Sequence, residues 1–215
     1  MAQRFRTMAA DQVAVMGELG FDRFAVVGHD RGARVAHRMA LDHPDAVERL
    51  AVLDIMPTLH VYATVDRELA TRYYHWFFFI QPADLPERLI AADPTYYLHT
   101  LLGGLRGLDT FHPDALAEYE RCFADPHARH AMLEDYRAGA SIDLLHDEAD
   151  LGRRMAAPLL VLWGSRSVVG TGKADPLEVW RNRGTDVRGR PVDAGHHLVE
   201  ERPAETFAAL AEFLA

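Results

Sequence analysis

Gly28-His29-Asp30-Arg31-Gly32 holds the side chain best placed to do covalent chemistry. The apolar run Phe24-Ala25-Val26-Val27 before it predicts a buried strand, and Ala33 to Leu41 after it predicts a helix. Strand, G-x-nucleophile-x-G and helix together form a nucleophile elbow. The glycines are expected to permit a sharp turn that lifts the central side chain above the sheet. Here that side chain is a carboxylate, and this selects the chemistry. A serine alkylated at an sp3 carbon becomes an ether, which resists water. An aspartate becomes an ester, whose carbonyl water can attack. An aspartate elbow therefore suits displacement at saturated carbon followed by ester hydrolysis. The competing reading is a plain loop, since G-x-D-x-G is a common turn pattern.

Other residues fit that chemistry. Arg31 and Arg34 lie three apart on the first turn of the helix, so they share a face and can clamp a carboxylate. The bland alternative is two solvated arginines. The helix N-terminus adds positive potential at Asp30, and the Arg31 N–H can serve as an oxyanion donor. Gly195-His196 comes late in the chain, where a base able to activate water belongs. His197 competes with it, as does a surface loop carrying both. The acid that orients the base is open among Asp54, which ends a strand, Asp175 and Asp193. Asp54 is preferred, Asp175 is the runner-up, and Asp193 reads as a loop residue. The turn Gly164-Ser165-Arg166-Ser167 has a serine where such an acid often sits.

These residues must be positioned by a fold that the composition permits. The chain has 215 residues, 49% hydrophobic and 26% charged, with a formal net charge of −9. That predicts one globular domain with room for an insertion. The acidic balance and the lack of a Lys/Arg cluster argue against nucleic acid. The longest apolar run, Trp76 to Ile80, is too short to span a bilayer, and no signal peptide is visible. Cys122 is the single cysteine, so the reading is a cytoplasmic protein with Cys122 as a small buried hydrophobe. No metal motif accompanies the 12 histidines, and His127 and His130 merely share a surface helix face. Val169-Gly170-Thr171-Gly172-Lys173 lacks the spacing of a phosphate loop.

Helices are expected at Thr7 to Leu19, Arg31 to Asp42 and Pro203 to Leu214. Strands are expected at Phe24 to Gly28, Arg49 to Ile55, Pro158 to Gly164 and Arg188 to Asp193. Apolar strands alternating with helices imply a parallel sheet covered on both faces. Leu59 to Asp150 has helical periodicity cut by Pro82, Pro86, Pro94, Pro113 and Pro126, which predicts a helical lid. The expected division is therefore core over 1–57, lid over 58–150 and core over 151–215.

The chain resembles the fluoroacetate/haloacetate dehalogenases of the α/β-hydrolase fold. The likeness lies in Gly28 to Arg34 with His37 to Pro44, in Leu50 to Ile55, in His75-Trp76, in Asp135 to Gly139 and in Gly195-His196. It implies that Asp30 attacks the halogen-bearing carbon while Arg31 and Arg34 hold the substrate carboxylate. It implies that His75, Trp76 and Tyr136 hold the leaving halide; their types alone would not single them out. His196, oriented by Asp54, would activate the water that releases a 2-hydroxy acid. No cofactor or metal is implied, and a homodimer is. The family carries further N-terminal strands and a His-Gly loop ahead of the first residue here, so the resemblance predicts an N-terminally truncated chain, weakly active or inactive alone, with an open sheet edge. An epoxide hydrolase is the alternative enzyme. It would want lid tyrosines and no paired arginines. A non-catalytic remnant of the fold is the alternative of another class.

Overall fold

Four short strands build the sheet, the first three rich in Val, Leu and Ala: β1 (Phe24–His29), β2 (Val47–Leu53), β3 (Leu159–Gly164) and β4 (Val187–Val192). The computed structural model describes residues 4–103 and 107–215. The strands lie in the order β1-β2-β3-β4 and every neighbouring pair is parallel. Parallel neighbours need crossovers, and helices supply them. β3 is buried along its whole length, as its unbroken Leu-Leu-Val-Leu-Trp run requires. β1 is an edge among the described residues, and its Val27 is exposed.

Side-chain alternation splits β2 and β3 between two cores. Leu50, Val52, Leu159 and Val161 face one core, which contains Ala33, Val35, Ala36 and Met39 of helix α2 (Arg31–Asp42). Phe5 and Ala9 of helix α1 (Phe5–Glu18) join that core. Ala51, Leu53, Leu160 and Leu162 face the other, which Leu198, Ala209 and Phe213 close from helices α12 (Leu198–Glu201) and α13 (Pro203–Leu214). Truncating a fully buried ring such as Phe213 to alanine costs about 3–5 kcal/mol.

Between β2 and β3 the chain is helical: α3 (Thr58–Ala63), α4 (Arg67–Arg72), α5 (Tyr74–Phe79), α6 (Leu85–Ala91), α7 (Pro94–Gly103), α8 (Pro113–Ala124), α9 (Pro126–Gly139) and α10 (Ile142–Ala149). The prolines set these starts. Pro94, Pro113 and Pro126 open helices, where a missing N–H costs nothing. Asp66 caps α4 through Leu69 N and Asp125 caps α9 through His127 N. Helix α11 (Pro176–Arg181) joins β3 to β4.

All four expected strands form, each within two residues of the expected ends. Cys122 departs from expectation. It is exposed on α8, a helix with no buried residue, and contacts Glu118 and Arg121 of its own surface. The tendency of cysteine to be buried is overridden because α8 turns this face to solvent.

Candidate active site

Each strand sends one residue of the site from its carboxyl end. Asp30 follows β1, Asp54 follows β2, Ser167 follows β3 and His196 follows β4. Loops at the carboxyl ends of parallel strands are where such sheets hold their ligands.

Asp30 sits at the elbow with φ 48° and ψ −119°, a conformation that costs a non-glycine residue about 1–3 kcal/mol. Only one of the two glycines is needed there. A Cβ on Gly28 would lie 2.6 Å from Ala33 Cα, so glycine lets α2 press against β1. A Cβ on Gly32 would meet nothing, and its φ is not positive, so the expectation that both glycines shape the turn is corrected.

His196 Nδ1 donates to Asp54 Oδ2 at 2.6 Å, and its Nε2 lies 3.9 Å from Asp30 Oδ2. Burial alone would raise the Asp30 carboxyl. The charges of His196 and Arg34 outweigh it and hold the group well below the usual carboxylate range. Burial alone would lower His196, yet Asp30 and Asp54 on either side raise it to about 10. The other candidates are engaged elsewhere. Asp175 caps α11 through Leu177 N. Asp193 pairs with Arg166 and Arg202 at the surface. His197 packs on Phe111 at 5.0 Å, and burial lowers it to about 3.

Two supports of this set were not read from the sequence. Ser167 Oγ donates to Asp54 Oδ1 at 2.6 Å, beside Gly164 N at 2.9 Å, and accepts from Val169 N and Gly170 N. The serine found where an acid often sits thus holds the acid of the neighbouring strand. Its turn was the available signal. His29 Nε2 bonds the His196 carbonyl at 2.8 Å and ties the elbow to the histidine loop. Gly164 permits that loop to approach, because a Cβ there would lie 1.9 Å from the Gly195 carbonyl oxygen.

The arginines differ. Arg31 Nε pairs with Asp135 Oδ2 at 2.5 Å, and its guanidinium lies 4.2 Å from the Tyr136 ring centre. Arg34 is buried and, among the described residues, bonds neutral oxygens, Met56 O at 2.9 Å and Thr58 Oγ1 at 3.1 Å. Burial and the neighbouring Arg31 both lower its pKa. An anion would relieve that strain on the charge. His75, Trp76 and Tyr136 gather close by, with Tyr136 6.0 Å from His75 and 6.1 Å from Trp76 between ring centres. Arg34 lies 4.5 Å over Trp76. Burial lowers His75 to about 4, so at neutral pH it is an uncharged ring with one N–H to give. No group of three or more potential metal ligands occurs among the described residues. No helix among them is long and apolar enough to cross a membrane.

The family model for the α/β hydrolase fold matches residues 1–203. The chain belongs to the α/β-hydrolase family. A fluoroacetate dehalogenase from Burkholderia sp is 47% identical to this hydrolase, over 98% of this chain and 70% of its own length. A soluble epoxide hydrolase from Corynebacterium sp. (strain C12) is 30% identical, over 98% of this chain and 73% of its own. A crystal structure assigned to the α/β hydrolases, from Nostoc sp PCC 7120, superposes on the hydrolase with a TM-score of 0.96 at 54% identity, covering 99% of this chain and 73% of the other.

Proposed function

We propose that this hydrolase cleaves the carbon–halogen bond of a short 2-haloacid, fluoroacetate and chloroacetate included, and releases the 2-hydroxy acid. The observation that carries the reading is an ionised Asp30 facing the His196–Asp54 pair beside Arg34, a buried arginine bonded to neutral oxygens. The relative named a fluoroacetate dehalogenase supports it. The helical segment 58–150 is read as the lid, and segments 1–57 and 151–215 as the core.

In the first step an Asp30 oxygen attacks the carbon bearing the halogen. The C–O bond forms as the C–X bond breaks, and the halide leaves with the electron pair. Arg34 and Arg31 hold the substrate carboxylate. The indole N–H of Trp76, the ring N–H of His75 and the Tyr136 hydroxyl donate to the leaving halide, each donor being worth about 3–4 kcal/mol in such a role. Esterification removes the Asp30 charge, one of the two anions that hold the proton on His196. Its pKa falls, the proton passes to solvent, and the free Nε2 becomes a base held by Asp54. Water then gives its proton to Nε2 and attacks the Asp30 carbonyl carbon, where the N–H of Arg31 at the start of α2 meets the oxyanion. The tetrahedral intermediate collapses, and its bond from the carboxyl carbon to the substrate oxygen breaks. The departing alkoxide takes up the second proton of the attacking water and leaves as the 2-hydroxy acid. The Asp30 carboxylate is restored with one oxygen from water.

The reading includes a cytoplasmic homodimer, supported by the lone Cys122 and by the exposed Leu85, Leu89 and Tyr96 of the lid. Epoxide hydrolysis is the second reading, supported by the Corynebacterium relative. It gives no work to two arginines beside the nucleophile. Incubating a His196→Ala variant with chloroacetate separates them. The Asp30 peptide should gain the mass of one carboxymethyl group stoichiometrically. An unmodified peptide in that variant, with diol formed from an epoxide by the parent enzyme, would overturn the first reading.

A further inference from the structure

A cavity of about 250 Å³ lies beside the proposed site, between α3, α4 and the loop after β3. The apolar side chains of Met56, Val61, Leu69, Tyr73, Val169 and Ala174 line it. Asp66, Glu68, Arg72 and Lys173 also line it; Arg72 Nη1 bonds Thr171 Oγ1 at 2.7 Å and Lys173 pairs with Asp66. Nothing in the chemistry above uses this space.

Two of its lining residues also touch the site. The Met56 carbonyl accepts from Arg34, the residue assigned to the substrate carboxylate. Tyr73 stacks flat on Trp76, 5.2 Å between centres at 4°, and meets the His75 ring edge-on at 5.8 Å. Burial raises the Tyr73 hydroxyl above its usual range, and Arg34, Asp54 and Asp30 all act on it. The Tyr73 ring is therefore a partition, with the cavity on one side and the arginine and halide donors on the other. It occupies the junction of α4 and α5, where Tyr73 N bonds Leu69 O and Trp76 N bonds Tyr73 O. A partition held at both its backbone and its ring face does not swing freely.

We propose that Tyr73 sets the size limit on the acid, and that the cavity behind it is a dormant apolar subsite able to take the alkyl or aryl group of a longer 2-haloacid. This rests on the haloacid reading above. Haloacetate bears only hydrogens at the attacked carbon and needs no such space. A larger substituent would meet the Tyr73 ring. With the ring shortened, the substituent passes into a pocket lined by methyl and methylene groups, where burial favours it. One methylene in an apolar pocket is worth roughly 10–200-fold in discrimination.

The test compares halide release from chloroacetate and from both enantiomers of 2-chlorobutanoate, with release by Asp30→Ala subtracted. The quantity read is the ratio of kcat/KM for the larger acid to that for the smaller. Tyr73→Ala should raise the ratio about tenfold or more. Tyr73→Phe, which keeps the ring, should leave the ratio as it is. Adding Val168→Trp, which refills the cavity from the loop after β3, should return the Tyr73→Ala ratio to the parent's. Tyr73→Leu serves if the alanine variant does not fold. An unchanged ratio in both shortened variants, or a parent that already accepts 2-chlorobutanoate as well as chloroacetate, would overturn the proposal and leave the haloacid reading standing. Absence of enzymatic halide release from either acid by the parent would overturn both.

Discussion

Helix α2 carries three arginines on successive turns, and the surroundings of Arg34 and Arg38 differ sharply although both are buried. Arg38 Nη2 bonds Asp42 Oδ1 and Asp150 Oδ2, each at 2.6 Å, and its Nη1 lies 3.9 Å from Asp147. Arg34, one turn closer to Asp30, bonds a carbonyl and a hydroxyl. Arg31, at the helix start, has the single carboxylate of Asp135. A charge surrounded by the protein's own carboxylates holds helices together. A charge bonded directly to neutral oxygens, with Asp30 acting on it but not hydrogen-bonded to it, keeps its attraction for an anion from outside. The same residue type on the same helix is thus a structural clamp at one end and, in the function proposed above, part of a binding site at the other.

That contrast can be broken most forcefully at Arg38. Arg38→Leu leaves Asp42, Asp147 and Asp150 without their common partner, and should cost about 3–5 kcal/mol in denaturant unfolding. Arg34→Leu should do the opposite. It should lose about 30-fold or more in kcat/KM for haloacetate, through an added barrier of about 2–5 kcal/mol, with little loss of unfolding free energy. If Arg34→Leu unfolded as readily as Arg38→Leu, the distinction would fail. A smaller effect is expected at Ser167. Ser167→Ala removes one hydrogen bond to the Asp54 carboxylate, worth about 1.5–3 kcal/mol. It should lower kcat roughly 10- to 100-fold while KM holds, because Asp54 acts on His196 and does not touch substrate.

The mildest test is of pH. His196 is raised in the folded chain to about 10 from an ordinary 6.5. A group raised by folding binds its proton more tightly in the native state. Its contribution is therefore whole below pH 6.5 and is lost as pH climbs toward 10. Unfolding free energy should decline across that window, and His196→Gln should flatten the decline. An identical slope in the variant would contradict the charge environment described for the site.

What the sequence made legible follows the same division. Asp30 and Asp54 each follow a strand whose apolar pattern is plain, while the strand before His196, Val-Arg-Gly-Arg-Pro-Val, is marked mainly by its place between two helices; their convergence then needs only the parallel sheet. Ser167 was visible as a departure from pattern, but its bond to Asp54 spans 113 residues and depends on β2 and β3 lying side by side. Pairing of Arg31 with Asp135 and stacking of Tyr73 on Trp76 depend on how short helices settle over the sheet. No periodicity encodes that. The burial of Arg34, His37 and Arg38 was also hidden, since charged and imidazole side chains on a helix ordinarily read as solvated. His37 is tucked edge-on to Trp180 at 5.1 Å, and burial lowers it to about 3, so it lies there uncharged.

The central claim is that Asp30 is alkylated and then freed by water attacking its own carbonyl. A single turnover of excess enzyme on chloroacetate in water enriched in heavy oxygen tests it most directly, by mass analysis of the Asp30 peptide and the glycolate. The account predicts that the label enters the Asp30 carboxylate and that the first glycolate formed is unlabelled. Label found in that first glycolate, with none in Asp30, would mean that water attacks the substrate carbon directly, and would contradict the account.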